Sequence, residues 1–401
     1  MLDAVEIKQK TYRADLWRGG FEGVLSAGAQ TFALFIAIRI YDASEWTKSI
    51  IAAAPFMGMF ASLLLVHYVS GSGLRKSVAG AVPSLITGVC LLAAAWAHSV
   101  ELFALLVVTG YVCRSALLPF LTSIYGDNYP ATERGKYFSR SLVLTVGMAA
   151  LAGYAGSSLL EIDLGYWPWI LTALGLCGLG KAWAIFAMPS RAIEDNQHAH
   201  PLGNLKYIVH DRSFGYVLFT WFIMGFANLW TLPLRVDYIA SPEYGIAGSP
   251  LLVALLITVI PETMRMLFIP FWAQLFDRMN FVVLRMVLNL FFAAGVGLFF
   301  ISSSPVIIGL GSALIGITFA GGSIAWSLWV TKYAPPGKTA AYMSVHVCLT
   351  GVRGTLGPMA GYWVAGLIGP MQTGLVSSAL MVVATIMLIP EIKHGQRNGD
   401  A

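Results

Sequence analysis

The chain has 401 residues, of which 57% are hydrophobic and only 11% charged, whereas an ordinary soluble domain carries roughly 25% charged residues. That deficit, with a mean hydropathy of +0.72, argues against a large soluble core and for a polytopic membrane protein. The formal net charge of +5 follows topology rather than a basic patch, so no nucleic-acid partner is expected.

Residues 1–18 mix Asp3, Glu6, Lys8, Lys10, Arg13, Asp15 and Arg18 with no apolar stretch, so no cleavable signal is read there. Apolar runs of spanning length follow near 19–41, 49–69, 77–97, 101–124, 137–159 and 166–188. A polar stretch, Pro189 to Arg212, separates them from six more, near 213–236, 250–275, 281–301, 304–327, 339–364 and 371–390. Twelve helices of about 20 residues would use about 240 residues, which leaves room for short connections. The expected organisation is a six-helix bundle over 1–188, a cytoplasmic linker over 189–212 and a second bundle over 213–401.

Basic residues gather on one side of this topology. With the N-terminus inside, the inner face takes Lys8, Lys10, Arg13, Arg75, Lys76, Arg134, Lys136, Arg140, Arg278, Arg285 and Lys393, among others. The outer loops keep Lys48, and acids such as Asp42, Glu101, Glu161 and Glu243 dominate there. The positive-inside rule then places both termini in the cytoplasm, in a plasma membrane (the inner one in a bacterium). Cys90, Cys113, Cys177 and Cys348 all fall in apolar runs without metal-ligand spacing, so neither a disulfide nor a metal site is expected. His198 and His200 form an H-x-H that reads as solvated loop. No phosphate-binding glycine-rich loop with its lysine is present, which argues against a primary ATP-driven pump. No cofactor and no catalytic site are expected, so the chain does not read as an enzyme.

The two halves echo each other. Tyr137, Ser139, Thr145 and Gly156 recur as Tyr342, Ser344, Thr350 and Gly361, all at an offset of 205. Pro55 pairs with Pro261 at a nearly equal offset, and Arg39-Ile-Tyr-Asp42 with Arg235-Val-Asp237 at a smaller one, which a longer outer loop around Pro242 would explain. Six runs, a linker and six runs with such echoes indicate a duplication. Parallel six-helix repeats are one architecture of rocker-type transporters, with substrate at mid-depth between the halves.

Motifs sharpen this. The loop after the eighth run reads Ala273-Gln-Leu-Phe-Asp277-Arg278-Met-Asn280, and its counterpart in the first half reads Ser70-Gly-Ser-Gly-Leu-Arg75-Lys76. Glu133-Arg134-Gly135 precedes the fifth run, and Gly357-Pro358-Met-Ala-Gly361 sits in the eleventh. On these motifs the chain resembles the major facilitator superfamily over nearly its whole length. That family carries G-x-x-x-D-R-x-G-R at the first two places, E-R-G at the third and G-P-x-x-G in helix 11. Ala273 and Asn280 replace glycines of the signature, and the first copy lacks its acid. The fifth run, Gly147 to Gly156, has no proline, unlike antiporters of the family, and the helix 4 motif R-x-x-Q-G is represented by Arg114 alone. The subfamily therefore stays unassigned. The resemblance implies an all-α membrane fold of twelve transmembrane helices in two pseudo-symmetric six-helix bundles. It also implies an inner gate at Asp277 and Arg278, with Arg75, Lys76, Glu133 and Arg134 as its counterparts.

Charges inside the runs point to the site, because an intramembrane charge costs about 2.5–3.5 kcal/mol on insertion scales and marks function by default. Glu262 and Arg265 are three residues apart and share a helix face. Fifteen residues separate Glu262 from Asp277 at the interface, about 22 Å of helix at about 1.5 Å per residue, which is near mid-depth. Arg114, Arg353, Gln30 and Asn228 fall at similar depth, in runs that line or flank the cavity of the family fold. Arginine forks onto carboxylate or phosphate, so Arg114, Arg265 and Arg353, with Gln30 and Asn228, are the expected substrate ligands, and Glu262 the proton carrier. The plainer alternative is that Glu262 and Arg265 pair with each other below Pro261, and that Arg114 and Arg353 bond to backbone carbonyls. Glu22 reads as an interfacial or gate residue, Lys181 as a snorkelling lysine, and Trp326 and Trp329 as interfacial, with a place lining the cavity exit as the alternative.

The expected function is secondary active transport by alternating access, proton-coupled, of a small organic anion or zwitterion by a monomer in the lipid bilayer. The rival readings are proton-driven efflux of amphiphilic drugs, and a non-transporting membrane sensor or lipid flippase.

Overall fold

The computed structural model describes residues 3–69, 72–130, 133–193, 203–244, 246–335 and 339–394. His198 and His200 lie outside them. Among the described residues the fold is helical, with one isolated bridge between Arg75 and Ala192. Eleven helices are long and apolar enough to cross a membrane. They are α1 (Ala4–Arg39), α2 (Glu45–Val69), α3 (Lys76–Ala94), α4 (Val100–Asn128), α5 (Lys136–Ile162), α6 (Leu164–Phe186), α7 (Arg212–Ala240), α8 (Pro250–Phe276), α9 (Phe281–Phe300), α10 (Pro305–Trp326) and α12 (Pro370–Met387). The remaining predicted run is α11, Thr339–Ile368. This is an integral membrane protein with the twelve-helix order expected from the sequence.

The largest departure is at the N-terminus. The apolar run begins near residue 19, yet α1 begins at Ala4, capped by Asp3, whose carboxylate accepts from the Glu6 amide at 2.6 Å. A hydropathy window misses this part because its polar groups find partners in protein. Asp15, fully buried, accepts from Arg18 Nε at 2.5 Å and from the Tyr125 hydroxyl. Arg18 also donates to Ser141 Oγ at 3.0 Å.

Two helices contain a wider π turn, at Gly28–Phe32 in α1 and Leu255–Val259 in α8. Such turns appear singly inside α-helices, often at functional places. Here the two meet: the hydroxyls of Thr31 and Thr258 lie 2.5 Å apart, both buried. Helix α4 is interrupted at Leu117, just before Pro119 starts its second segment, Leu118–Asn128.

The chain divides into two compact units, Met1–Pro201 with Gly248–Val259, and Leu202–Ala247 with Ile260–Ala401. In the first, α1 packs on α5 and α6, α2 on α4, and α3 on α4 and α6. In the second, α7 packs on α11 and α12, α8 on α10, and α9 on α10 and α12. The pairing is the same with every helix advanced by six, which is the structural form of the duplication. Small residues permit close crossings. A Cβ on Gly178 of α6 would lie 2.6 Å from the Gly88 Cα of α3, so these backbones touch as small-residue membrane interfaces do.

Candidate functional site

In the first unit one carboxylate serves two cations. Glu22, on α1, accepts from Arg114 Nη2 of α4 and from Lys181 Nζ of α6, each at 2.6 Å. Lys181 is buried, and Arg114 and Glu22 keep a little exposure. The Arg114 guanidinium also lies 5.9 Å from the Tyr111 ring centre. Two charges of one sign and one of the other leave a positive excess here. The sequence reading placed Glu22 at an interface and Lys181 as a snorkelling side chain. The structure instead makes both of them partners in the ion group around Arg114. The signal was available: Glu22, Arg114 and Lys181 are one acid and two bases inside first-half runs, and a charge inside a membrane span is kept when it finds a partner. Gln30 lies in the π turn of α1, and its amide donates to Ser26 Oγ at 3.1 Å.

In the second unit Glu262 is buried and pairs with Arg265 at 3.3 Å. Arg265 Nη2 donates to Ser323 Oγ of α10 at 2.9 Å. Helix α8 is held tightly there, because a Cβ on Gly316 of α10 would lie 2.7 Å from the Pro261 Cα. Asn228, on α7, has its Oδ1 buried without a hydrogen-bond partner among the described residues.

Arg353 sits apart from that pair in a cationic aromatic cluster. Its Nη1 donates to the Trp221 carbonyl at 2.7 Å and its Nη2 to Thr350 Oγ1 at 3.2 Å. The guanidinium fills the space that Gly225 leaves open, for a Cβ there would come 2.5 Å from its Cζ. Arg285 of α9 stacks on the Trp221 ring, 4.1 Å from its centre, a favourable cation–π distance. His346 touches Trp221, Trp326 and Trp329 with ring centres 5.0–5.3 Å apart. Among the described residues no carboxylate pairs with Arg285 or Arg353. Trp329 is fully buried, so its expected place at the interface is corrected. Arg285, one turn into α9, is buried as well, at 7% exposure.

The loop-motif residues Arg75, Lys76 and Glu133 find partners within the first unit. Lys76 pairs with Asp127 at 2.7 Å and Glu133 with Lys8 at 2.9 Å. The Arg75 guanidinium lies 5.5 Å from the Phe186 ring centre. Nearby, Tyr129 stacks with Tyr125 and Tyr137. Burial first, then the charge of Asp15, push its phenol above the ordinary range, so it remains neutral. Arg278 is exposed. The side chains of Asp277 and Arg134 lie outside the described residues. Asn280, where the family signature has glycine, caps α9 by accepting from the amides of Val282 and Val283 at 2.9 and 3.3 Å. Among the described residues no group of His, Cys, Asp and Glu is placed to hold a metal.

The family model of the Major Facilitator Superfamily matches residues 22–358, and this chain belongs to that family. It is a transporter, not an enzyme. Its fold is similar to the nucleoside transporter NupG (TM-score 0.72, 14% identity, 96% of this chain and 99% of that one). It is similar also to a D-xylose-proton symporter (TM-score 0.71, 15% identity, 97% and 98%). A POT family transporter solved with a thioalcohol-conjugated peptide matches with TM-score 0.69 and 12% identity over 96% of each chain. At these identities the likeness concerns the fold alone. A search of curated proteins by sequence returned no match.

Proposed function

We propose that this protein is a secondary active transporter that works by alternating access, is driven by protons and carries a small organic anion or zwitterion. The observation that carries the reading is the surplus of buried cations. Arg114 and Lys181 share the single carboxylate of Glu22, and Arg353 has none among the described residues. Arg114, Arg265 and Arg353 are the proposed substrate-binding cations, with Gln30 and Asn228 as neutral ligands. A substrate carboxylate that takes Arg265 from Glu262, across a pair now 3.3 Å long, leaves Glu262 to take up a proton. Asp277, Arg278, Arg75, Lys76, Glu133 and Arg134 are the proposed gate residues. The repeats 1–188 and 213–401 are the proposed moving bodies, joined by the linker 189–212. The printed name of the D-xylose-proton symporter is in keeping with proton coupling.

The test is uptake of labelled carboxylates, amino acids, sugars and cationic drugs into proteoliposomes under an imposed pH gradient. A carboxylate or zwitterion driven by the gradient is expected, with transport lost in Arg114→Gln and Arg353→Gln. Glu262→Gln is expected to keep counterflow exchange and lose gradient-driven accumulation. Transport of cationic amphiphiles alone would replace this reading with drug efflux. Full proton-driven uptake by Glu262→Gln would remove that residue from the coupling step.

A further inference from the structure

Glu22 divides one carboxylate between two cations. Its Oε1 accepts from Arg114 Nη2 and its Oε2 from Lys181 Nζ, each at 2.6 Å. Neither cation gets both oxygens. Arginine grips a carboxylate best through two parallel bonds, and Nε and Nη2 form one edge of the guanidinium fork that can make them. Glu22 takes only the Nη2 end of that edge. Arg114 Nε is buried and has no hydrogen-bond partner among the described residues.

Charge and burial point the same way. By formal charge Arg114, Lys181 and Glu22 sum to one positive charge, and one added monoanion makes the group neutral. Arg18, one turn earlier on α1, is already committed, because its Nε donates to Asp15 Oδ1 at 2.5 Å. The side chain of Lys181 is 3% exposed, whereas those of Arg114 and Glu22 are 12% and 20% exposed. An anion therefore reaches the group at Arg114, and the Lys181 side is closed.

We propose that Glu22 is a resident counter-ion, which the anionic group of an incoming substrate displaces from Arg114, and that Lys181 is a positioning residue that keeps Glu22 paired while it is displaced. This rests on the transport reading above, in which Arg114 belongs to the substrate. The incoming carboxylate takes both Nε and Nη2, where Glu22 Oε1 held one bond. Glu22 keeps Lys181 through Oε2, so no carboxylate is buried without a partner, a costly state. When the substrate leaves, Oε1 returns to Arg114. The arrangement selects for one negative charge. A neutral analogue cannot displace Glu22, and a second negative charge finds no further cation in this group.

Formate, the smallest carboxylate, is the probe, with formamide as its neutral counterpart and chloride at equal ionic strength as the control. Binding to the purified full-length chain in detergent is read by thermal shift. Glu22→Gln keeps the shape of the side chain and removes the competing charge. Formate is expected to bind it about tenfold or more tightly than the wild type, the worth of about one charge-assisted hydrogen bond. A purely structural Glu22 would leave the affinity unchanged or lower it. Lys181→Met strands a displaced Glu22, so formate binding should weaken about tenfold, and Lys181→Arg should restore it. Formamide is expected to shift none of these proteins. Equal formate affinity in the wild type, Glu22→Gln and Lys181→Met would overturn the proposal, and so would a formamide response equal to that of formate. If Glu22→Gln does not fold, Lys181→Met and Lys181→Arg decide alone. The transport reading fails separately: the expected ranking of formate affinities, with no carboxylate carried into proteoliposomes, would keep the exchange at Arg114 and remove that reading. Carboxylate uptake with equal formate affinities would remove the exchange alone.

Discussion

Arg114 and Lys181 reach one carboxylate, that of Glu22, whereas Arg285 and Arg353 reach the ring and the carbonyl of one tryptophan, Trp221. The two units share a helix pairing but stabilise their buried cations differently. An ion pair is strong and exchangeable, since another carboxylate can replace the first. A ring face and a backbone carbonyl cannot leave, so they hold the guanidiniums in place whether or not an anion is bound. Duplication preserved the scaffold and let the polar chemistry diverge.

Substitutions can break that contrast. Trp221→Ala is expected to cost most, about 3–5 kcal/mol, because it removes a large buried ring and the support under Arg285. Unfolding in mixed micelles with increasing sodium dodecyl sulfate measures it. Glu22→Gln should cost about 3 kcal/mol in the same assay, since it leaves two cations beside each other without their counter-charge. Adding Lys181→Met to Glu22→Gln sharpens the picture, with an expected recovery of about 1–2 kcal/mol for groups in one network. A double mutant no more stable than Glu22→Gln would show that Lys181 and Arg114 do not oppose each other. Arg285→Met should change stability least, by about 1 kcal/mol or less. The lost cation–π contact is offset by the desolvation no longer required. A loss as large as that of Glu22→Gln would mean that Arg285 has a stronger partner than Trp221.

Much of the fold was legible in the chain because lipid imposes a simple rule: a spanning helix must be long and apolar. The rule fails where protein replaces lipid or water. It placed the start of the first helix near residue 19 because Asp15 and Arg18 look unfit for a buried helix, yet Asp15 Oδ1 accepts from Arg18 and Tyr125, and Arg18 also donates to Ser141. The candidate site was legible as a set of charges but not as a set of contacts. Glu262 and Arg265 are neighbours on one helix, and their spacing announced the pair. Glu22, Arg114 and Lys181 come from three helices, and no local pattern joins them. Arg285 reads from the sequence as one more basic residue of the inner face because it stands near the start of its run, and no pattern marks His346. Their surroundings depend on how α7, α9 and α11 pack, which periodicity does not encode. The π turns were equally silent, since Gly28-Ala-Gln-Thr-Phe32 fits an ordinary helix as well.

The hydroxyl contact between those turns has a property that an ion pair lacks. Threonine in a helix can return its hydroxyl to a carbonyl of its own preceding turn. If one hydroxyl of the pair is removed, as in Thr258→Val, the other is not stranded, so the loss should cost only about 1 kcal/mol. Such a contact resembles a dowel more than a weld: it fixes the register of two helices without committing a charge to the join.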